Sequence, residues 1–241
     1  MSSTHSLPDS AHQAGQMHLM DHLEELRDRV VKSAIAVLVC TLITATFTTQ
    51  IIEILLKPYG SKMLILHPTE GLTIYFWVAF SFGVALSLPF LLYQFIMFIL
   101  PGLESHEKRY IFWGVPAAAL LFLIGVTFAW EIMLPTAIGF LSTWQPEIFT
   151  QQWQANEYIP FVTSLLLWLG LSFETPLIIF IMAKLGLVTP QFLIKQWRFA
   201  VVLIAILAAF ITPTIDPLNM FLVMIPLLLL YGISILLSFL A

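Results

Sequence analysis

The sequence predicts an all-α membrane protein, a bundle of six transmembrane helices with both termini on the cytoplasmic side. Three observations carry this reading. First, 59% of the 241 residues are hydrophobic and only 10% are charged, with a mean hydropathy of +0.94; a soluble domain carries roughly a quarter charged residues. Too little polar surface exists to cover a globule in water, so most of the chain must face lipid. Second, a window of about 19 residues picks out apolar runs at 31–52, 73–98, 111–133, 159–183, 199–212 and 218–240. Third, the basic residues are segregated. Arg27, Arg29, Lys32, Lys108, Arg109, Lys184, Lys195 and Arg198 fall on the face shared with the amino terminus, and only Lys57 and Lys62 fall opposite. That asymmetry in short loops is the positive-inside pattern.

Residues 1–20, MSSTHSLPDSAHQAGQMHLM, are polar and have no apolar core of the kind a signal peptide needs. They are expected to form a disordered cytoplasmic tail, with residues 21–241 as a single six-span domain. The segment Asp21-His22-Leu23-Glu24-Glu25-Leu26-Arg27-Asp28-Arg29 precedes the first span. On a helix, Leu23, Leu26 and Val30 make one apolar stripe, and Glu25 with Arg29 forms an i,i+4 pair of favourable order. The segment is expected along the cytoplasmic interface, either as a topology-setting charge cluster or as a binding surface. Cys40, the single cysteine, lies in an apolar run and reads as a small core residue.

Two connections on the far side, about 52–73 and 134–158, are too long for simple turns. Trp144, Trp153 and Tyr158 fit a membrane–water boundary, so these connections read as short amphipathic caps on the bundle. Pro58, Pro68 and Glu70 read as turn punctuation. In the second span, Pro89 breaks the helix and Gln94 offers an interhelical hydrogen bond. The loop Pro101-Gly102-Leu103-Glu104-Ser105-His106-Glu107-Lys108-Arg109 follows a Pro-Gly break. Glu107 opens the third helix, where the positive dipole end favours a carboxylate. The two cytoplasmic patches carry carboxylates unmatched by a compact partner, a surface that fits a cationic peptide.

Glu174 lies in the fourth span, two residues before Pro176. A carboxylate near mid-bilayer costs roughly 2.5–3.5 kcal/mol on insertion scales, so it faces the bundle interior or a wet cavity, or carries a proton. It serves either function or interhelical packing. The fifth span offers thirteen apolar residues between Arg198 and Thr212, about 20 Å of helix against about 30 Å of hydrocarbon. Pro213 ends it and Asp216 caps the turn. Either this turn sits in a thinned or wetted region, or the helix starts before Arg198 with the guanidinium snorkelling.

Enzymatic, metal and nucleic-acid functions are not expected. No histidine lies inside a span, no nucleophile–base pair occurs at depth, and a net charge of −4 gives no basic field. No cofactor is implied. The residues leave a transport or translocation component, or alternatively a proton- or ion-coupled small-solute carrier using Glu174, although the internal repeat such a carrier favours is not visible.

Taken together, HLEELRDR, PTEG, LPFLLYQFIMFILPGLESHEKR, FETP, QWRF and TPTIDPLN, in this order and spacing from about residue 20 onward, resemble the TatC family, the multispanning subunit of the twin-arginine protein translocase. The resemblance implies a glove-like concave bundle with short fifth and sixth spans. It implies a receptor for signal peptides carrying an Arg-Arg pair, which passes folded proteins across an energised membrane using the proton-motive force. By that likeness Glu25 and Glu107 form the cytoplasmic patch, with Arg27, Glu24, Arg109 and Phe98 in it, and Pro58 and Pro89 match further positions. Two guanidinium groups favour carboxylates in a bidentate fork. Glu174 resembles the buried polar residue of the concave face, and Pro213, Asp216 and Met220 lie where the single-span partners TatA and TatB are expected to dock. Other copies of the chain and the lipid bilayer are further expected partners, in a plasma (inner) membrane or a thylakoid-type one. The chain departs from the family pattern at Trp77, Met220 and Gly232, where many members carry Lys, Gln and Glu.

Overall fold

The computed structural model describes residues 9–60, 63–99, 108–142, 152–212 and 217–241, and among these the chain is helical without a named strand. Helix α1 runs Asp9–Ala45 and α2 Thr48–Leu56, bent by 73° from one another. The bend falls in a threonine-rich stretch. Thr44, Thr46 and Thr48 turn their hydroxyls back onto the carbonyls of Cys40, Ile43 and Thr44, an alternative to the regular ladder that bends helices. The apolar run 31–52, expected as one straight span, is therefore broken. The helix begins within the polar tail and carries the charged segment without interruption, so that segment continues the axis of α1 instead of forming a separate interfacial piece.

Helix α3, Glu70–Ile99, lies antiparallel to α1. His22 meets Phe98, Arg29 meets Gln94, Thr41 meets Gly83 and Ala45 meets Tyr75 along the pair. Gly83 makes the approach possible: a Cβ there would stand 2.6 Å from the Thr41 Cα.

The next span is one continuous rod built of α4 (Lys108–Phe128), a π-turn (Ala129–Met133) and α5 (Leu134–Ser142). Pro135 follows the π-turn and lacks the N–H that would complete a regular turn, and the widened turn absorbs this defect. Helix thus extends through the first residues of the connection expected over 134–158. Helix α6 (Ala155–Ser172) continues into α7 (Thr175–Lys184) through a break at Phe173–Glu174, where Pro176 stands at the start of α7. The short α8, Pro190–Lys195, is capped by Thr189, whose Oγ1 accepts from the Phe192 N–H at 3.2 Å.

Helix α9, Trp197–Ile211, starts only one residue before Arg198, and its 15 residues leave it short. Thr212 already adopts an extended conformation, as the residue before a proline must. Helix α10, Pro217–Ser238, has 22 residues, about 33 Å of helix, which spans the hydrocarbon. The short sixth span expected by resemblance is therefore of full length. Among the described residues, four helical stretches are long and apolar enough to cross a membrane, Glu70–Phe98, Gly114–Ser142, Ala155–Lys184 and Asn219–Ser238, or five if the bent α1–α2 pair counts as one.

Helix α6 forms the axis of the core. Ile159, Val162, Leu165 and Leu169 pack with Leu55, Val78, Ala129, Leu134 and Val223 from surrounding helices. Gly125 and Gly170 let α4 and α6 touch, with a Cβ at Gly125 falling 2.9 Å from the Gly170 Cα. Leu38, Phe80, Leu123, Val202 and Phe210 are exposed, the inside-out arrangement of a protein whose solvent is lipid. Tyr158, read from sequence as suited to a membrane–water boundary, is buried among protein side chains, and its hydroxyl donates to the Leu55 carbonyl at 3.0 Å. Desolvating a phenol demands such a partner. Tyr59 and Trp153 pack against it in tilted and edge-on ring contacts.

Candidate functional site

The charged end of the α1/α3 pair is assembled from positions one and two turns apart. His22, Glu25 and Arg29 follow one another on α1, and Gln94 and Phe98 face them from α3. The His22 and Phe98 rings are stacked, with centroids 4.5 Å apart and planes 15° from parallel. Arg29 donates from Nε to Glu25 Oε1 at 3.0 Å, adds a second contact from Nη2 to the same oxygen, and donates from Nη1 to Gln94 Oε1 at 3.1 Å. Gln94 is only 7% exposed, the Arg29 side chain 18% and the Glu25 side chain 32%, so the chain of contacts leads from the helix interface outward.

Arg27 turns the other way. Its Nη2 donates to Glu24 Oε1 at 3.0 Å and to Asp28 Oδ1 at 3.1 Å, in a fully solvated setting where ion pairs contribute little. The expected i,i+4 pair of Glu25 and Arg29 is present. Three carboxylates of this patch, Glu24, Glu25 and Asp28, expected to be unmatched, are engaged by guanidinium groups of the same helix, because spacing on α1 places Arg27 and Arg29 within their reach, while the Asp21 side chain lies outside the described residues. Glu107 lies outside the described residues, as do Pro213 and Asp216. Arg109 is in the first turn of α4, and its side chain is likewise outside the described residues.

The opposite end is organised by Glu70, read from sequence as punctuation. It is 4% exposed. Its Oε2 accepts from the Leu66 and His67 N–H groups at 2.9 and 3.2 Å, and its Oε1 from Gln154 Nε2 and the Asn156 N–H, both at 3.1 Å. One carboxylate therefore joins the loop before α3 to the start of α6, where Ala155 N–H also bonds the Leu64 carbonyl at 3.0 Å. The sequence held only a faint signal of this, an acidic residue at a helix start, because two of its four donors, Gln154 and Asn156, arrive from more than eighty positions away.

Between the ends, Glu174 is 1% exposed at the α6–α7 break, and neither carboxylate oxygen has a hydrogen-bond partner among the described residues. Asn219, which no sequence pattern singles out, is buried on α10, the helix that packs along α7. Pro89 lines an apolar recess of about 390 Å³ between α3, α4 and α6, with Ser81, Phe122, Val126, Thr163 and Leu166. Pro58 is half-buried in the turn after α2.

With this geometry in place, comparison with known proteins is informative. Residues 21–226 match the family model of the Sec-independent protein translocase protein TatC. The chain belongs to the TatC family. The Sec-independent protein translocase protein TatC of Deinococcus radiodurans is 39% identical over 232 residues, covering 91% of this chain and 85% of the relative. The chloroplastic TATC of Pisum sativum is 34% identical over 228 residues, covering 93% of this chain and 64% of its own length. A crystal structure of the twin arginine translocase receptor TatC superposes with a TM-score of 0.82 at 37% identity, covering 91% of this chain and 98% of the other. The chain is accordingly a multi-pass membrane protein of twin-arginine translocation, a component of a translocase and not a catalytic enzyme.

Its departures from the TatC pattern acquire physical settings. Trp77 donates from its indole N–H to Thr163 Oγ1 at 2.8 Å, linking α3 to α6. Met220 is partly buried against the core, and Gly232 faces open space on α10.

Proposed function

We propose that the chain is the signal-peptide receptor and core subunit of a twin-arginine translocase, with Glu25 and Glu107 as the acidic contacts for the Arg-Arg pair. Glu24, Arg27, Arg109 and Phe98 border that contact. In this reading six spans cross a plasma (inner) membrane or a thylakoid-type one. The short α9 counts as the fifth span, and both termini are cytoplasmic. Folded cargo moves at the expense of the proton-motive force.

The observation that carries the reading is the position of Glu25 in a TatC-family chain: an acidic side chain held at the charged end of a lipid-exposed helix pair, half open to solvent. Glu107 stands one residue before α4, a helix that begins where α3 has just ended. Support for the topology comes from the placement of cations. The ends of α7 and α10 meet where Lys184 donates to the Ala241 carbonyl at 3.2 Å. The starts of α3 and α6 share the opposite end through Glu70.

Glu174 and Gln94 are assigned as intramembrane polar groups, the first serving translocation and the second binding α3 to α1. Pro58, Pro89, Pro213, Asp216 and Met220 are assigned to shaping the bundle and docking TatA- and TatB-like single-span subunits, with other copies of the chain completing the assembly.

The deciding experiment photo-crosslinks a signal peptide, labelled beside its Arg-Arg pair, to the chain in membranes. Glu25→Gln and Glu107→Gln together are expected to abolish the adduct while insertion is retained. An undiminished adduct in the inserted double variant rejects the assignment.

A further inference from the structure

We propose that Arg29 is a resident competitor for Glu25, occupying the carboxylate until an incoming guanidinium displaces it and thereby setting the discrimination between arginine and lysine leaders. The inference rests on the reading of Glu25 as a signal-peptide contact and deepens it.

Among the described side chains, three carboxylates line this part of α1, and each already holds a guanidinium of the chain itself: Glu24 and Asp28 hold Arg27, and Glu25 holds Arg29. The two arginines differ in freedom. The Arg27 side chain is 65% exposed and, among the described residues, pairs with Glu24 and Asp28 of its own helix, so it swings aside at little cost. Arg29 is mostly buried and is tethered across the helix interface by buried Gln94. It cannot diffuse from the site, so a ligand guanidinium that takes both Glu25 oxygens must compete with it at Oε1.

Two features make this competition selective. Arg29 grips the single Glu25 Oε1 atom through both Nε and Nη2, and a replacement of equal quality must also bring two aligned N–H donors, as a planar guanidinium does. A signal-peptide arginine can do so, whereas a lysine ammonium is a point charge that replaces the fork poorly. The Nη1 bond to Gln94 uses the opposite side of the guanidinium, so it survives when Glu25 is released and holds Arg29 ready to return. The resident arginine thus lowers the affinity for every cation but penalises lysine most. Discrimination then comes from the receptor's own charge as well as from the attraction of its carboxylates.

The test uses the full chain in lipid nanodiscs and two fluorescein-labelled leader peptides identical except for Arg-Arg or Lys-Lys, with binding read by anisotropy. Arg29→Gln is expected to tighten the Arg-Arg peptide about fivefold. It tightens the Lys-Lys peptide further, so the preference for arginine narrows. Gln94→Leu, which frees the tether, shifts both affinities in the same direction by less. Arg29→Lys keeps the charge without the fork and falls between wild type and Arg29→Gln, so it carries the test if Arg29→Gln does not fold. Weaker binding in Arg29→Gln, or an unchanged Arg-Arg to Lys-Lys ratio in both Arg29 variants, overturns the proposal. Glu25→Gln separates the two layers. If it leaves Arg-Arg binding intact, the assignment of Glu25 itself fails; if it weakens binding while the Arg29 variants tighten nothing, only the competitor fails.

Discussion

Gly83→Ala tests the idea that the charged patch depends on close contact between α1 and α3. A Cβ at this position would lie 2.6 Å from the Thr41 Cα and 2.8 Å from its backbone nitrogen. Carbon atoms settle about 3.5–4.0 Å apart, so the helices must separate by about 1 Å. Backbone cannot rotate away as a side chain would. Overpacking of this kind costs about 1–3 kcal/mol, but replacing glycine inside a helix returns about 0.8–1 kcal/mol of propensity. Gly232→Ala supplies the control. That glycine is also inside a helix, and a Cβ there meets nothing within 4 Å. The propensity gain cancels between the two variants, leaving about 1–3 kcal/mol as their difference. The same displacement would stretch the 3.1 Å Arg29–Gln94 bond beyond hydrogen-bonding distance, which ends near about 3.5 Å. Thermal unfolding in detergent can be followed by dye labelling of Cys40, the single thiol, which sits on the affected helix. Gly83→Ala is expected to melt roughly 5 °C below Gly232→Ala. Equal melting of the two variants refutes the argument that backbone contact at Gly83 limits the helix spacing.

Glu70→Ala should lower the melting temperature by several degrees and expose the loop before α3 to protease, since it strips the acceptor from three backbone N–H groups and the Gln154 amide. Glu70→Gln, which keeps one carbonyl acceptor, should fall between alanine and wild type; the reverse order of the two variants contradicts the clamp. Trp77→Phe removes the indole donor to Thr163, a loss of about 1 kcal/mol. Thr163 keeps its own bond to the Ile159 carbonyl, so Thr163→Val combined with Trp77→Phe should cost little more than Trp77→Phe alone in a melting series.

The all-helical bundle was legible in the sequence because bilayer thickness imposes a length on apolar runs, and four of those runs are helices of spanning length. The Glu25–Arg29 pair was legible too, since i,i+4 geometry is local. Where the reading fell short, the cause was non-local. The break at Thr46–Phe47 arises from side chains turning onto their own backbone, and the same residues would be tolerated in a straight helix elsewhere. The burial of Tyr158 was not legible, because an amphipathic ring serves exposed and enclosed settings alike and its partner, the Leu55 carbonyl, comes from a distant helix.

Sequence by itself thus determined that the chain lives in lipid, where its apolar runs lie, and which end of each run carries the cations, all properties of residues acting through solvent or through their own helix. Its order of motifs also determined the family. Tertiary structure alone decided which polar groups meet. Gln94 became the tether of Arg29, Glu70 became the clamp between two loops, and Glu174 was enclosed with no hydrogen-bond partner among the described residues. The physical reason is that a hydrogen bond reaches about 3 Å in space and ignores separation along the chain.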